Sequence, residues 1–231
     1  MPGEMSIRQM TQRATQDALR AERSAETVFR MIDHAVQQTS HVQQQLPSPS
    51  RMACAEGCCF CCYQPVDITA PEALAMAAYL RSQLAETDFD ALRTRLAVMT
   101  ATLRDLSYEA HAQAKIPCVL LVDGVCSVYP SRPFACRAWN STSVARCQEI
   151  FDHGDPITMI PPIDMDVYEA IWNVVQGLID GLKQARLDST SYELHSVLQR
   201  ALDTPDAAAR WVQGEDVFAG CTVGAFAESR L

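Results

Sequence analysis

Cys54-Ala55-Glu56-Gly57-Cys58-Cys59-Phe60-Cys61-Cys62 places five of the ten cysteines of this chain in nine residues. A second, looser group follows at Cys118, Cys126, Cys136 and Cys147, and Cys221 stands apart near the C-terminus. A thiol cluster serves as a set of disulfides, as metal ligands or as a redox centre. Disulfides belong to oxidising compartments and to small chains that cannot bury a core. This chain has 231 residues, 48% of them hydrophobic, enough for a core of its own. Its start, MPGEMSIRQM, has no apolar h-region, so no signal peptide is expected. Such thiol density in a cytoplasmic protein points first to metal, and a thiol redox protein is the second reading.

Spacing adds geometry. Cys54, Cys58, Cys61 and Cys62 fall at i, i+4, i+7 and i+8, one face of a helix. On that helix Cys59 points about 140° away from Cys54, at ~100° per residue, and is expected not to be a ligand. Gly57 disfavours a regular helix, so a looped knuckle is the alternative. Adjacent Cys61 and Cys62 suit a multinuclear centre, or one ligand and its neighbour.

Outward from the cysteines, the pattern predicts a mainly α fold: a helical domain with a small β-hairpin and a cysteine-rich knuckle, plus a long N-terminal helical arm. Residues 1–50 are expected to form the arm and linker, and residues 51–231 the cysteine-cluster domain. Over residues 6–45, Met10, Ala14, Ala18, Ala21, Ala25, Phe29, Ile32 and Val36 recur every three to four positions, predicting one long helix able to pack on a partner. His34 and His41 read as solvent-facing. Pro47-Ser48-Pro49-Ser50 is a breaker. Val66 to Ile68 is strand-like. Thr69-Ala70-Pro71-Glu72 is a capping box opening a helix to about Ala85. A second helix is expected from Phe89 to Ala112, and the strongest one from Met165 to Arg186. Helices at Tyr192 to Leu202 and from Thr204 through Trp211 follow. Asp152 to Pro162, with His153, reads as loop.

Asp123-Gly124 marks a hairpin. A two-residue loop pairs Leu121 with Cys126 and sends Cys118 and Cys126 to opposite faces. A three-residue loop, with Gly124 left-handed, pairs Leu120 with Cys126 and puts both thiols on one face, the register a shared site prefers. Pro133 can open a helix with Cys136 in its first turn, where the helix dipole favours thiolate. Asn140 to Ser143 supplies caps for a helix carrying Cys147.

Cys54-x3-Cys58-x2-Cys61-Cys62, then Cys118, then Asp123-Gly124-x-Cys126-Ser127-x-Tyr129, then Arg132-Pro133-x2-Cys136-Arg137 resembles the YkgJ-type cysteine-cluster family over about residues 54–147. That family is described as zinc- or iron-chelating, and a related cysteine cluster occurs in flagellin lysine methylases, which look like iron–sulfur enzymes. The resemblance implies metal binding rather than one reaction.

The expected ligands are Cys54, Cys58, Cys61, Cys62, Cys118, Cys126 and Cys136. Zinc accounts for four thiolates in a tetrahedron. An iron–sulfur cluster accounts for more of the excess and is narrowly preferred. One alternative is an iron–sulfur enzyme that modifies another protein, with Arg132 and Arg137 holding an anionic group. A protein partner docking through the N-terminal helix is also expected. The net charge of −9 and the lack of a basic stripe argue against nucleic acid. No apolar run approaches the ~18 residues of a membrane span.

Overall fold

The computed structural model describes residues 5–45 and 52–224; the Pro47–Ser50 breaker lies outside them. Ten α-helices and two short antiparallel ribbons make up the fold among the described residues, so the chain is mainly α. Helices α1 (Ile7–Ala21) and α2 (Ala25–Gln45) come first, followed after the knuckle by β1 (Asp67–Thr69). Next are α3 (Ala70–Gln83), α4 (Glu86–Leu103), α5 (Tyr108–Ala114), and the hairpin strands β2 (Leu121–Val122) and β3 (Val125–Cys126). The short α6 (Phe134–Ala138) precedes α7 (Val144–His153) and the long α8 (Met165–Gln184). The chain then forms β4 (Ser191–Glu193), α9 (Leu194–Asp203) and α10 (Ala207–Val212). No helix among the described residues is long and apolar enough to cross a membrane.

The single long N-terminal helix expected from periodicity is two helices. Glu22 turns extended and closes α1, and Ser24 accepts the Thr27 N–H at 3.2 Å to begin α2. A serine cap satisfies an orphan donor that a continuous helix would not leave. The inner face of α1 is also not the alanine stripe. Thr11, Thr15 and Leu19 are the buried positions, and Met10 is 41% exposed. The reason lies across the interface. A Cβ on Gly177 would come within 2.4 Å of the Arg8 carbonyl oxygen, and one on Gly181 within 2.6 Å of Thr15 Cβ. These two glycines, one turn apart on α8, let the backbones approach until short threonines fill the gap. The Thr11 hydroxyl donates to Gln38 Oε1 at 2.6 Å, so its burial leaves no polar atom unpaired.

The core is continuous. Leu19, Val28, Met31 and Ala35 from the first two helices join Leu74, Leu80, Leu96, Ile171, Leu178, Leu198 and Trp211 in one cluster. The second helix of the predicted pair is interrupted as well: α4 ends at Leu103, and Ser107 caps α5 by accepting the Ala110 N–H at 3.2 Å.

Two features position the cysteine region. First, β1 pairs with β4, Asp67 opposite Glu193 and Thr69 opposite Ser191, where sequence pattern gave helix from Tyr192. This ribbon fastens the end of the knuckle to the start of α9. Second, Glu72 is a buried carboxylate that accepts from Thr69 N–H at 2.9 Å, Thr69 hydroxyl at 2.8 Å and Phe134 N–H at 2.9 Å. The capping box of α3 thereby also anchors the first residue of α6, the helix that carries Cys136.

Candidate metal centre

The knuckle is turns, not helix. Gly57 has φ of +88°, a left-handed conformation that glycine adopts without steric cost. Short bonds run from Cys58 N–H to the Ala55 carbonyl at 3.1 Å, and from Cys62 N–H to the Cys59 carbonyl at 2.9 Å. The helical-face argument that set Cys59 aside therefore does not apply; only the looped alternative survives.

Backbone bonds tie this knuckle to the second cysteine group. The Cys118 N–H donates to the Cys62 carbonyl at 2.8 Å, and the Ala53 N–H to the Ser141 carbonyl at 2.7 Å. The Ser141 N–H returns to Cys54 Sγ at 3.1 Å, a bond that favours thiolate. Ser141 is itself fixed, since neighbouring Asn140 is buried and accepts the Asp164 N–H at 3.0 Å.

The hairpin adopts the two-residue register, Leu121 opposite Cys126 and Val122 opposite Val125, which corrects the three-residue loop. Gly124 is left-handed as expected, at φ +78°, but Asp123 is too, at φ +50°. Positive φ at both central residues is the primed turn that matches strand twist. Cys118 nevertheless stays near Cys126, because the chain turns again: the Leu121 N–H closes onto the Cys118 carbonyl at 2.9 Å. Cys118 therefore sits before a turn, outside the ladder whose faces alternate.

Charge coupling traces the result. Cys61 acts on Cys54, Cys58, Cys126 and Cys136, and hydrogen-bonds Cys62; Cys118 acts on Cys126 and Cys136. The backbone bonds from Cys118 to Cys62 and between Ala53 and Ser141 hold the two cysteine groups against each other. All ten cysteines are half-buried. Desolvation pushes the Cys54, Cys58 and Cys126 thiols up. The hydrogen bond with Cys62, followed by desolvation, pushes Cys61 well up. Cys136 also rises well above the ordinary thiol value, because burial outweighs its place in the first turn of α6; the expected dipole-favoured thiolate is overturned.

Arg132 supplies the opposing charge. Its guanidinium acts to lower Cys54, Cys61, Cys126 and Cys136, and stacks 4.2 Å from the centre of the Tyr129 ring. Its Nε is buried with no hydrogen-bond partner. Arg137 is committed to local carbonyls, Nε to Arg132 at 3.0 Å and Nη2 to Pro130 at 2.5 Å, which is the capping role rather than anion binding.

Two residues beside the cysteines escaped sequence reading. Cys147, on α7, acts on Cys54 and Cys58 and lines a pocket with Cys54, Cys58, Cys61, Trp139 and Phe151. Its place at the edge of the family pattern was the available signal. The other is His195, which had none. It is 3% exposed, with Nδ1 2.5 Å from Glu193 Oε1. Burial acts to lower its pKa, but hydrogen bonds with Cys118 and Glu193 outweigh burial and bring it to about 9. His153 lies in the last turn of α7 rather than in a loop.

The donor set fits a thiophilic ion: many sulfurs, one compensating arginine and partial shelter from water. Among the described residues, no three His, Cys, Asp or Glu side chains already stand close enough to hold one ion.

Fold and site together define a thiol-rich cluster set within a helical scaffold. Residues 53–153 match the family model CxxCxxCC, whose description is "Putative zinc- or iron-chelating domain". The match agrees with the cysteine-cluster resemblance over that segment, which is similar to domains of that description. No curated protein and no solved structure matches the chain.

Proposed function

We propose that this protein holds iron, as an iron–sulfur cluster, through thiolates drawn from Cys54, Cys58, Cys61, Cys62, Cys118, Cys126 and Cys136, with zinc as the competing occupant. The observation that carries this reading is the tie between the two cysteine groups, the Cys118 N–H on the Cys62 carbonyl at 2.8 Å and the Ser141 N–H on Cys54 Sγ at 3.1 Å, which supports drawing ligands from seven cysteines. That is more sulfur than the four ligands of a structural zinc ion require, whereas a cluster spreads several thiolates over several irons. A bound cluster would supply electron transfer or a closed structural staple. The chain itself supplies the turns that aim the sulfurs, the Ser141 N–H on Cys54 and the positive charge of Arg132. Cytoplasmic residence belongs to the same proposal, since reduced thiols are needed throughout.

Anaerobic purification followed by iron, zinc and acid-labile sulfide analysis, with an absorption spectrum, tests the assignment. Iron with equimolar acid-labile sulfide and a visible absorption that bleaches on reduction supports it. Zinc alone at one ion per chain assigns the site to zinc. Cys58→Ser should lose the metal, because Cys58 lines the pocket with Cys54, Cys61 and Cys147. Cys59→Ser should retain it; equal loss in both variants makes Cys59 a ligand.

A further inference from the structure

We propose that the cleft between α2, α3 and the turn from Pro130 to Phe134 binds a small carboxylate with an apolar body, its anionic head on Arg132. None of the described cysteines lines this cleft, so the site stands or falls without the metal reading.

The cleft accounts for the body. Its volume is about 300 Å³, the lower end of the ~300–1,000 Å³ of small-molecule sites. At ~30 Å³ for each water it displaces, it takes a ligand of roughly ten non-hydrogen atoms. Phe29, Ile32 and Val36 of α2 face Ala75, Met76 and Tyr79 of α3 across it. Ile32 and Met76 belong to the core, but Phe29, Val36, Ala75 and Tyr79 are only partly buried. Apolar surface is therefore left against a gap, where interiors otherwise close to the density of organic crystals. An apolar body of this size covers it.

Arg132 accounts for the head. Its Nε–H is buried and donates to nothing, which leaves a desolvated donor uncompensated. Elsewhere the arginines are committed: Arg8, Arg93 and Arg210 to carboxylates, Arg81 and Arg137 to backbone carbonyls. The Arg132 guanidinium is nevertheless held in place. It lies 4.2 Å from the Tyr129 ring centre, and its own carbonyl accepts the Arg137 Nε–H at 3.0 Å. A positioned fork without an acceptor matches the paired oxygens of a carboxylate. The remaining charges set the valence. Glu72 lines the wall with its oxygens already taken by Thr69 and Phe134, and Asp33 is exposed at the mouth. Two acidic neighbours suit a ligand of one negative charge rather than a phosphate ester, which carries nearly two.

The test titrates the full, isotope-labelled chain with hydrocinnamate, a phenyl ring and two methylenes ending in a carboxylate, and follows the amide NMR shifts. Hydrocinnamamide, its neutral counterpart, and phenyl phosphate are the controls. Hydrocinnamate should give saturable shifts at Ala75, Tyr79 and Ser131 and bind about tenfold more tightly than the amide, the value of a hydrogen bond to a charged group. Arg132→Gln should erase that preference. Ala75→Leu, which fills the cleft from α3, should abolish binding. No saturable shift, shifts confined to other regions, or equal affinity for acid and amide overturns the proposal. So does unchanged binding in a folded Ala75→Leu. Tighter binding of phenyl phosphate than of hydrocinnamate overturns the carboxylate assignment. Should Arg132→Gln fail to fold, the ratio of acid to amide in the wild type and the Ala75→Leu result decide.

Discussion

The α1–α8 seam and the cysteine knuckle lie in one chain and are built on opposite terms. At the seam, Gly177 and Gly181 admit Thr11 and Thr15 with almost no space between backbones, and Arg8 closes the edge on Asp180 at 2.7 Å. Everything needed for that contact is already in place. In the knuckle, regular structure gives way to turns around Gly57, held by short backbone bonds, and burial raises several thiols. The seam is fixed by steric fit, where interiors tolerate little change in volume. The knuckle is fixed by turns and a few backbone bonds instead.

Metal removal should break the comparison most visibly. If an ion is held at a thousandfold excess over its Kd, its loss costs about 4 kcal/mol, about 12 °C in Tm for a chain of this size. Hydrogen exchange after chelation should rise across residues 54–147 and stay unchanged across α8. Equal loosening of both regions would mean that the knuckle does not depend on its ion separately. The reciprocal experiment is Gly177→Val. Its Cβ would meet the Arg8 carbonyl at 2.4 Å and Thr11 Cβ at 2.7 Å, so α1 must shift, at about 3 kcal/mol. Thermal melting should report that loss while metal stoichiometry holds.

Glu72 lies between the two regimes. Glu72→Ala strands three donors, two of them on Thr69 and one on Phe134, and should cost about 2–3 kcal/mol. Because Phe134 begins α6, metal affinity should fall as well, unlike the result at the seam; Glu72→Gln, which keeps one acceptor oxygen, should cost less. The effect of pH falls on metal affinity rather than on folding. Cys54, Cys58, Cys126 and Cys136 are raised by burial, and Cys61 by its bond to Cys62 and then by burial. They are therefore protonated near neutrality, and an ion must displace those protons. Affinity should rise with pH by about 1.4 kcal/mol per unit for each proton displaced. A flat titration of affinity between pH 6 and 8 would show that the binding thiols are already ionised.

The same division governs what the sequence disclosed. Helix positions were legible wherever a cap and an apolar stripe coincided, as at Thr69–Glu72 and along Val167, Ile171, Val174 and Leu178. The inner face of α1 was not, because threonines chosen to fit glycines on a distant helix carry no hydrophobic period. The cysteines announced themselves by density, and their convergence followed once the Cys118–Cys62 backbone bond was in view. The hairpin register was misjudged because it was inferred from what a shared site would prefer. Asp123, able to adopt a left-handed conformation, set a tighter turn. His195 was invisible because β1–β4 pairing is long-range, and two three-residue strands leave no pattern to read.

That pairing also sets a clock on synthesis. Chains leave the ribosome N-terminus first, at ~5–20 residues per second, so β4 emerges on the order of ten seconds after β1. Throughout that interval the nascent chain presents Cys54 to Cys62 without α9 above them and without Glu193 opposite Asp67. Capture of an ion by the half-made protein then competes with oxidation of bare sulfur. The β4–α9 segment arrives late, and the β1–β4 ribbon can close only once Glu193 has emerged.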